Sequence, residues 1–157
     1  MRKRIIVPLE QETATPADDW LDLESLAEVE VTSEDVAYPI ESALLSRQGS
    51  GWRAAAPGKQ TIRLLFTRPQ PLKRICLSYV EPAARRTQEY VLRWSADGGK
   101  SYREIVRQQW NFSPQSAISE TEDHRVDLPA VTALELTIIP DISGGNAIAS
   151  LARLLLA

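Results

Sequence analysis

Two short segments of the 157-residue chain carry hydrogen-bonding and aromatic side chains at spacings suited to ligand contact. Arg85-Arg86-Thr87-Gln88 follows Glu81-Pro82 in a stretch that reads as a loop, where long polar side chains are not committed to strand pairing. A guanidinium offers five N–H donors in a fixed plane, suited to sugar hydroxyls, carboxylates or phosphates. The competing reading is structural, with Glu81 pairing to one of the two arginines. The second segment, Trp110-Asn111-Phe112-Ser113-Pro114, follows a predicted strand and sets two large rings in a turn-forming context. An exposed Trp110 indole can stack on the apolar face of a sugar or on a base while Asn111 fixes its orientation. In the alternative, the rings plug the end of a core.

Catalytic chemistry finds less support. A hydrolase of the Ser-His-Asp or Cys-His type needs a base that accepts a proton near neutral pH, and His124 is the only histidine. It stands in the acidic run Glu120-Thr121-Glu122-Asp123-His124-Arg125, which reads as a surface loop or strand edge. Cys76, the single cysteine, lies between Ile75 and Leu77 and is expected to be a buried, inert thiol. No second cysteine or histidine exists to complete a zinc site, and no Gly-rich phosphate loop or dinucleotide fingerprint is present. The many Asp and Glu residues leave a paired-carboxylate glycosidase open by residue type alone, but no motif marks a pair. The expectation is a binding module rather than an enzyme, with no cofactor and no metal.

The elements that must position these residues are short and extended. Residues 27–32 alternate Ala-Glu-Val-Glu-Val-Thr, and 60–66 place Ile62, Leu64 and Phe66 on one side. In 72–80, Ile75, Leu77 and Tyr79 share a face, and in 88–95 Tyr90, Leu92 and Trp94 do the same. Ala96-Asp97-Gly98-Gly99-Lys100 then reads as the turn of a hairpin returning through 102–109. Residues 126–128, 133–139 (ended by Pro140) and 147–157 complete the set. Residues 5–19, with Pro8 and Pro16, read as an extended arm, and Thr15-Pro16 can cap a short helix through Leu26. About eight strands with few helices predict an all-β, antiparallel β-sandwich of jelly-roll type over 24–157, preceded by an irregular arm or extension over 1–23.

Length and composition agree with one globular domain. A chain of this size removes roughly 70% of its unfolded surface from water and needs no disulfide or metal for stability. A 43% hydrophobic share with 25% charged residues excludes collagen-like and low-complexity readings. No apolar run approaches the ~20 residues of a spanning helix, and no apolar segment of secretory type follows the basic start, so a cytoplasmic chain is expected. The net charge of −3 hides a division: residues 1–41 carry 11 acidic and 3 basic side chains, whereas 47–107 hold 13 Lys or Arg against Glu81, Glu89, Asp97 and Glu104. That window is either a solvated strand face or a basic patch for an anionic partner.

Several of these segments, in order, resemble discoidin domains, also called coagulation-factor type C domains. Ser25-Leu26-Ala27, Val29, Val31-Thr32-Ser33-Glu34 and Pro39-Ile40-Glu41-Ser42-Ala43 are similar to that family's opening strand, serine-rich turn and small-residue loop. Gly51-Trp52 resembles the tryptophan before its second strand. Residues 88–102 are similar to its strand, Ser-x-Asp-Gly turn and aromatic return, and Leu134-Glu135-Leu136-Thr137-Ile138 to its penultimate strand. The resemblance covers about 24–157 and implies a galactose-binding-like jelly roll whose members bind glycans, phospholipid head groups, proteins or, in a DNA-repair scaffold relative, damaged DNA. It places the ligand site on loops at one end, here 41–53 and 81–88, with Arg85 or Arg86 at the position of a glycan-binding arginine. Many members also hold calcium through an Asp-Gly-Asp loop and a glutamate of the last strand. Leu44 to Ser50 has no such acidic triplet and 149–157 contains no carboxylate, so that site is not expected here.

The resulting expectation is a carbohydrate-binding module contacting its ligand through Glu41, Arg53, Arg85, Arg86, Gln88, Trp110 and Asn111. The alternative is a protein-interaction or scaffold module whose basic face meets an anionic partner or nucleic acid; no membrane insertion is expected.

Overall fold

The computed structural model describes residues 20–45 and 50–157. Most of the predicted arm, including Thr15 and Pro16, lies outside the described residues. The part of the predicted helix that falls within them is one turn, α1 (Leu23–Leu26). It leads into β1 (Ala27–Val31). A second single turn, α2 (Glu41–Leu44), precedes β2 (Trp52–Arg53). Then come the long β3 (Gln60–Val80), β4 (Arg86–Ser95), β5 (Arg103–Phe112), the long β6 (Ser119–Ile139) and the short β7 (Ser150–Leu151) and β8 (Arg153–Leu156).

All pairings are antiparallel. The main sheet runs β1-β3-β6-β4-β5, with β8 also pairing β3, and β2 pairs β7 separately. The two long strands shape the fold. Residues 60–65 of β3 pair with 133–138 of β6, next to β1 and β4, whereas 74–80 pair with 119–125, next to β8. Between these halves the register shifts three times, between Leu65 and Arg74. Pro69 and Pro71 fall in that stretch and Pro129 falls across from it; proline lacks the N–H a continuous ladder requires and is tolerated at such bulges. The strands therefore bend and carry the sheet over onto itself. Tyr79 and Tyr90 prove the closure, because the rings of these residues from β3's second half and β4 meet with centroids 5.4 Å apart.

The expected β-sandwich is thus present, with two corrections to its elements. Residues 60–66 and 72–80 belong to one bent strand, and so do 126–128 and 133–139, in a strand that already begins at Ser119. The alternating faces hold: Ile62, Leu64 and Phe66, then Ile75, Leu77 and Tyr79, are buried, and Leu134, Leu136 and Ile138 meet them from β6. The C-terminal stretch is extended, as expected, and Leu154 and Leu156 are buried against β3. Cys76 looks the other way and is half-buried; burial and then the Asp123 charge push its thiol above the ordinary range, against the opposing Arg74 and Arg153. Trp52 is core, 1% exposed, with its indole N–H donating to the Ser33 carbonyl at 3.0 Å.

Candidate functional site

The 81–85 loop, the start of β4, the end of β5 and the 140–146 loop meet at one end of the sandwich. Arg86 ties them together. Its Nε donates to Glu81 Oε1 at 2.8 Å, and Nη1 donates to the Pro140 carbonyl at 2.7 Å and to Gln88 Oε1 at 3.2 Å, while the guanidinium lies 4.8 Å from the Phe112 ring centroid. The Arg86 side chain is only 2% exposed. Partial burial pushes the Glu81 carboxyl up, but the hydrogen bonds from Arg86 and the Ala83 N–H outweigh it and hold the group below its usual range. Arg86 and Gln88 are therefore strand residues of β4 rather than loop residues, and Gln88 is 1% exposed. The structural pairing of Glu81 with one arginine is the arrangement observed.

Around this tie lies a cleft of about 550 Å³ lined by Arg85, Arg86, Thr87, Asn111, Phe112, Ser113 and the Asp141-Ile142-Ser143 turn. Thr87 and Asn111 are cross-strand partners, and Thr87 Oγ1 donates to Asn111 Oδ1 at 2.6 Å, which turns the Asn111 amide nitrogen free. The far wall is pinned by the Ile142 N–H, which donates to the Thr87 carbonyl at 2.9 Å. Asp141 Oδ1 accepts from both the hydroxyl and the N–H of Ser143, at 2.7 and 3.0 Å, and those bonds hold its carboxyl below the ordinary range. Arg85 is exposed. The cleft can thus offer guanidinium and amide donors on one wall and a carboxylate on the other.

The remaining expected residues are dispersed. Arg53 stacks on the Tyr38 ring at 4.7 Å and lines a smaller hollow of about 170 Å³ with Trp52, Val80 and Pro82, on the other side of the 81–85 loop. Glu41 is exposed on α2 and lines neither hollow. Trp110 and Asn111 lie within β5, not in a turn, so their side chains point to opposite faces. Trp110, opposite Gln88 and 36% exposed, looks along the inward face of the edge strand rather than into the cleft. The core-plugging ring of this segment is Phe112, 1% exposed. Asp141, Ile142 and Ser143 are the lining residues that sequence reasoning passes over, although a Pro140-Asp141 step ending a strong strand is itself a turn signal.

His124 also differs from expectation. It sits in β6 opposite Ile75, half-buried on the inward face, and its Nε2 meets the Tyr90 hydroxyl at 2.8 Å. Glu120 and Glu122 share that face at two-residue spacing, opposite Tyr79 and Leu77. Burial, then the proximity and charge of Glu122, push the Glu120 carboxyl up to about 8. Tyr79 Oη, Gln88 Nε2 and both Glu120 oxygens are buried without a hydrogen-bond partner. Despite these acids, no group of three or more His, Cys, Asp or Glu among the described residues could hold a metal ion.

No protein-family model matches the chain, and no curated protein matches it. Solved structures do. The family 32 carbohydrate-binding module of Clostridium perfringens NanJ, in complex with galactose, aligns with a TM-score of 0.64 at 15% identity over 87% of this chain and 96% of that one. The AlyQ family 32 module, in complex with 4,5-unsaturated mannuronic acid, aligns with a TM-score of 0.61 at 15% identity, over 84% and 95% of the two chains. A Clostridium perfringens module in complex with GalNAc-β-1,3-galactose gives 0.62 at 17% identity, over 88% and 99%. At these identities the likeness is one of fold: this chain has the antiparallel jelly-roll β-sandwich fold of those modules.

Proposed function

We propose that the chain is a non-catalytic carbohydrate-binding module whose ligand occupies the cleft between Arg85, Asn111 and Asp141. One observation carries the reading: the cleft walls are immobilised by bonds among Arg86, Thr87, Asn111, Ser143 and the backbone, while donors on Arg85 and Asn111 remain unspent. Fixed donors and acceptors beside an apolar floor suit a sugar, whose hydroxyls both donate and accept. The solved structures similar in fold that hold saccharides support the same class. The rival reading, a basic face for an anionic partner, has less free charge to draw on. Arg63, Lys73, Arg74, Arg86, Arg93 and Arg107 each pair with a carboxylate.

The test is calorimetric titration of the chain with a panel of mono- and oligosaccharides, beside heparin and a short oligonucleotide. Saturable binding of a sugar, weakened at least about tenfold by Asn111→Ala with the melting temperature unchanged, supports the cleft. Binding confined to the polyanions, falling steeply with salt, favours the rival. Silence with every sugar overturns the proposal.

A further inference from the structure

The charges around the cleft, Arg85 and Arg86 against Glu81 and Asp141, sum to zero but are not evenly paired. Glu81 is committed at both oxygens, Oε1 to Arg86 at 2.8 Å and Oε2 to the Ala83 N–H at 3.3 Å. It offsets Arg86, and nothing does the same for Arg85. That guanidinium is exposed, and among the described residues no hydrogen bond or ion pair engages it. Asn111 adds a second donor group, because Thr87 holds its oxygen and no bond among the described residues engages its amide nitrogen. On the facing wall, the one carboxylate, Asp141, spends Oδ1 on Ser143. The cleft therefore presents a surplus of donors and one planar cation that no carboxylate among the described residues holds directly.

Resting on the carbohydrate reading above, we infer that this cleft selects a saccharide bearing a carboxylate, of the uronic acid type, and that Arg85 is the residue that sets the preference. A carboxylate meets a guanidinium through two parallel N–H···O bonds, and such charge-assisted bonds are roughly twice as strong as neutral ones. A lone hydroxyl pair gains no such charge term. The hydroxyls of the same sugar can donate to Asp141 and accept from Asn111, while Ile142, 47% exposed, covers part of an apolar ring face. Among the described residues Arg85 makes no bond, so its part is confined to the ligand; Arg86 has the opposite character.

The probes are methyl galacturonide, the methyl ester of that sugar, methyl galactoside and sodium sulfate, each titrated against the 157-residue chain at low and moderate salt. The expected result is binding of the free acid about tenfold tighter than its ester. Salt should narrow that gap, Arg85→Gln should abolish it and Arg85→Lys should keep part of it. Equal affinity for acid, ester and galactoside, unaffected by Arg85→Gln, overturns the inference while leaving the carbohydrate reading intact. Sulfate binding as tightly as the acid shows an anion site without sugar selection and also overturns it. No response to any sugar removes the reading on which it rests. Arg85→Gln is exposed and unbonded, so its melting temperature should match that of the parent and its titrations remain interpretable.

Discussion

The Tyr90 hydroxyl meets Nε2 of His124 at 2.8 Å, and through that bond β4 is latched to the half of β6 that lies in the opposite layer. The two rings also meet edge-on, with centroids 6.2 Å apart. The bond exists because the polar 119–125 run forms a strand whose alternate residues turn inward. Most of the interior is closed by aliphatic packing, but this flank is closed by hydrogen-bonding groups.

Tyr90→Phe removes the hydroxyl and nothing else from the apolar fit. It leaves a half-buried imidazole nitrogen without its partner, a loss of about 1 kcal/mol in unfolding free energy. Chemical denaturation should show the midpoint fall with an unchanged slope. A loss near zero would mean that water replaces the tyrosine at His124.

Glu120 makes stability depend on pH in the direction opposite to an ordinary carboxylate. Its native carboxyl is raised to about 8, chiefly by burial and then by Glu122, from an ordinary value of 4.5. Below the ordinary value both folded and unfolded states hold the proton and its contribution is whole. As pH rises from there, the unfolded chain ionises while the native chain does not, and stability falls by at most about 1.4 kcal/mol per pH unit until the native group also ionises near 8. Glu120→Gln should flatten the stability profile between these limits, as read from melting temperatures across pH. Parallel profiles for the two proteins would show that Glu120 is not the group responsible.

The two adjacent arginines should behave differently. Arg86→Ala leaves Glu81 and the Pro140 carbonyl without their donor and should cost about 3 kcal/mol, as breaking a buried ion pair does. Arg85→Ala, at an exposed and unbonded position, should stay within about 0.5 kcal/mol. Equal melting temperatures for the two variants would contradict the tie that Arg86 makes among the loops.

The alternation of Ile62, Leu64 and Phe66, and of Ile75, Leu77 and Tyr79, is legible because burial on one sheet face imposes a two-residue period. Continuity between those runs is not, since Pro69 and Pro71 read locally as a break and only the partner strand shows that the ladder resumes beyond them. Residues 119–125 escape notice for a different reason. Their inward members include Glu120, Glu122 and His124, so hydropathy carries no period there, although side-chain direction does. Arg86 and Gln88 read as loop residues because long polar side chains are seldom interior; the Glu81 and Pro140 contacts that permit their burial are tertiary. The Arg85 wall of the cleft was visible in the sequence. The Asp141 wall was not, since it arrives from more than fifty residues away along the chain.

Gly51 stands where the chain entering β2 comes closest to the backbone of β7, and it should tolerate no side chain. Its φ of 84° lies in the left-handed region, and a Cβ there would stand 2.5 Å from the Leu151 carbonyl oxygen and 2.8 Å from the Ala152 Cα. Both neighbours are backbone, one in β7 and one just beyond it, so neither can swing aside as a side chain could. The next residue, Trp52, pairs with Leu151 and fills the core. Gly51→Ala must therefore either strain its own backbone or push β2 from β7, and a cost of about 1–3 kcal/mol follows from the conformation alone. Gly58→Ala is the control, because its φ of 92° is equally left-handed while nothing lies within 4 Å of its added Cβ. The excess loss in Gly51→Ala over Gly58→Ala, measured by thermal unfolding, reports the close approach of the two strands. Equal losses in the pair would mean that the backbone conformation, and not the contact with β7, is all that glycine supplies there.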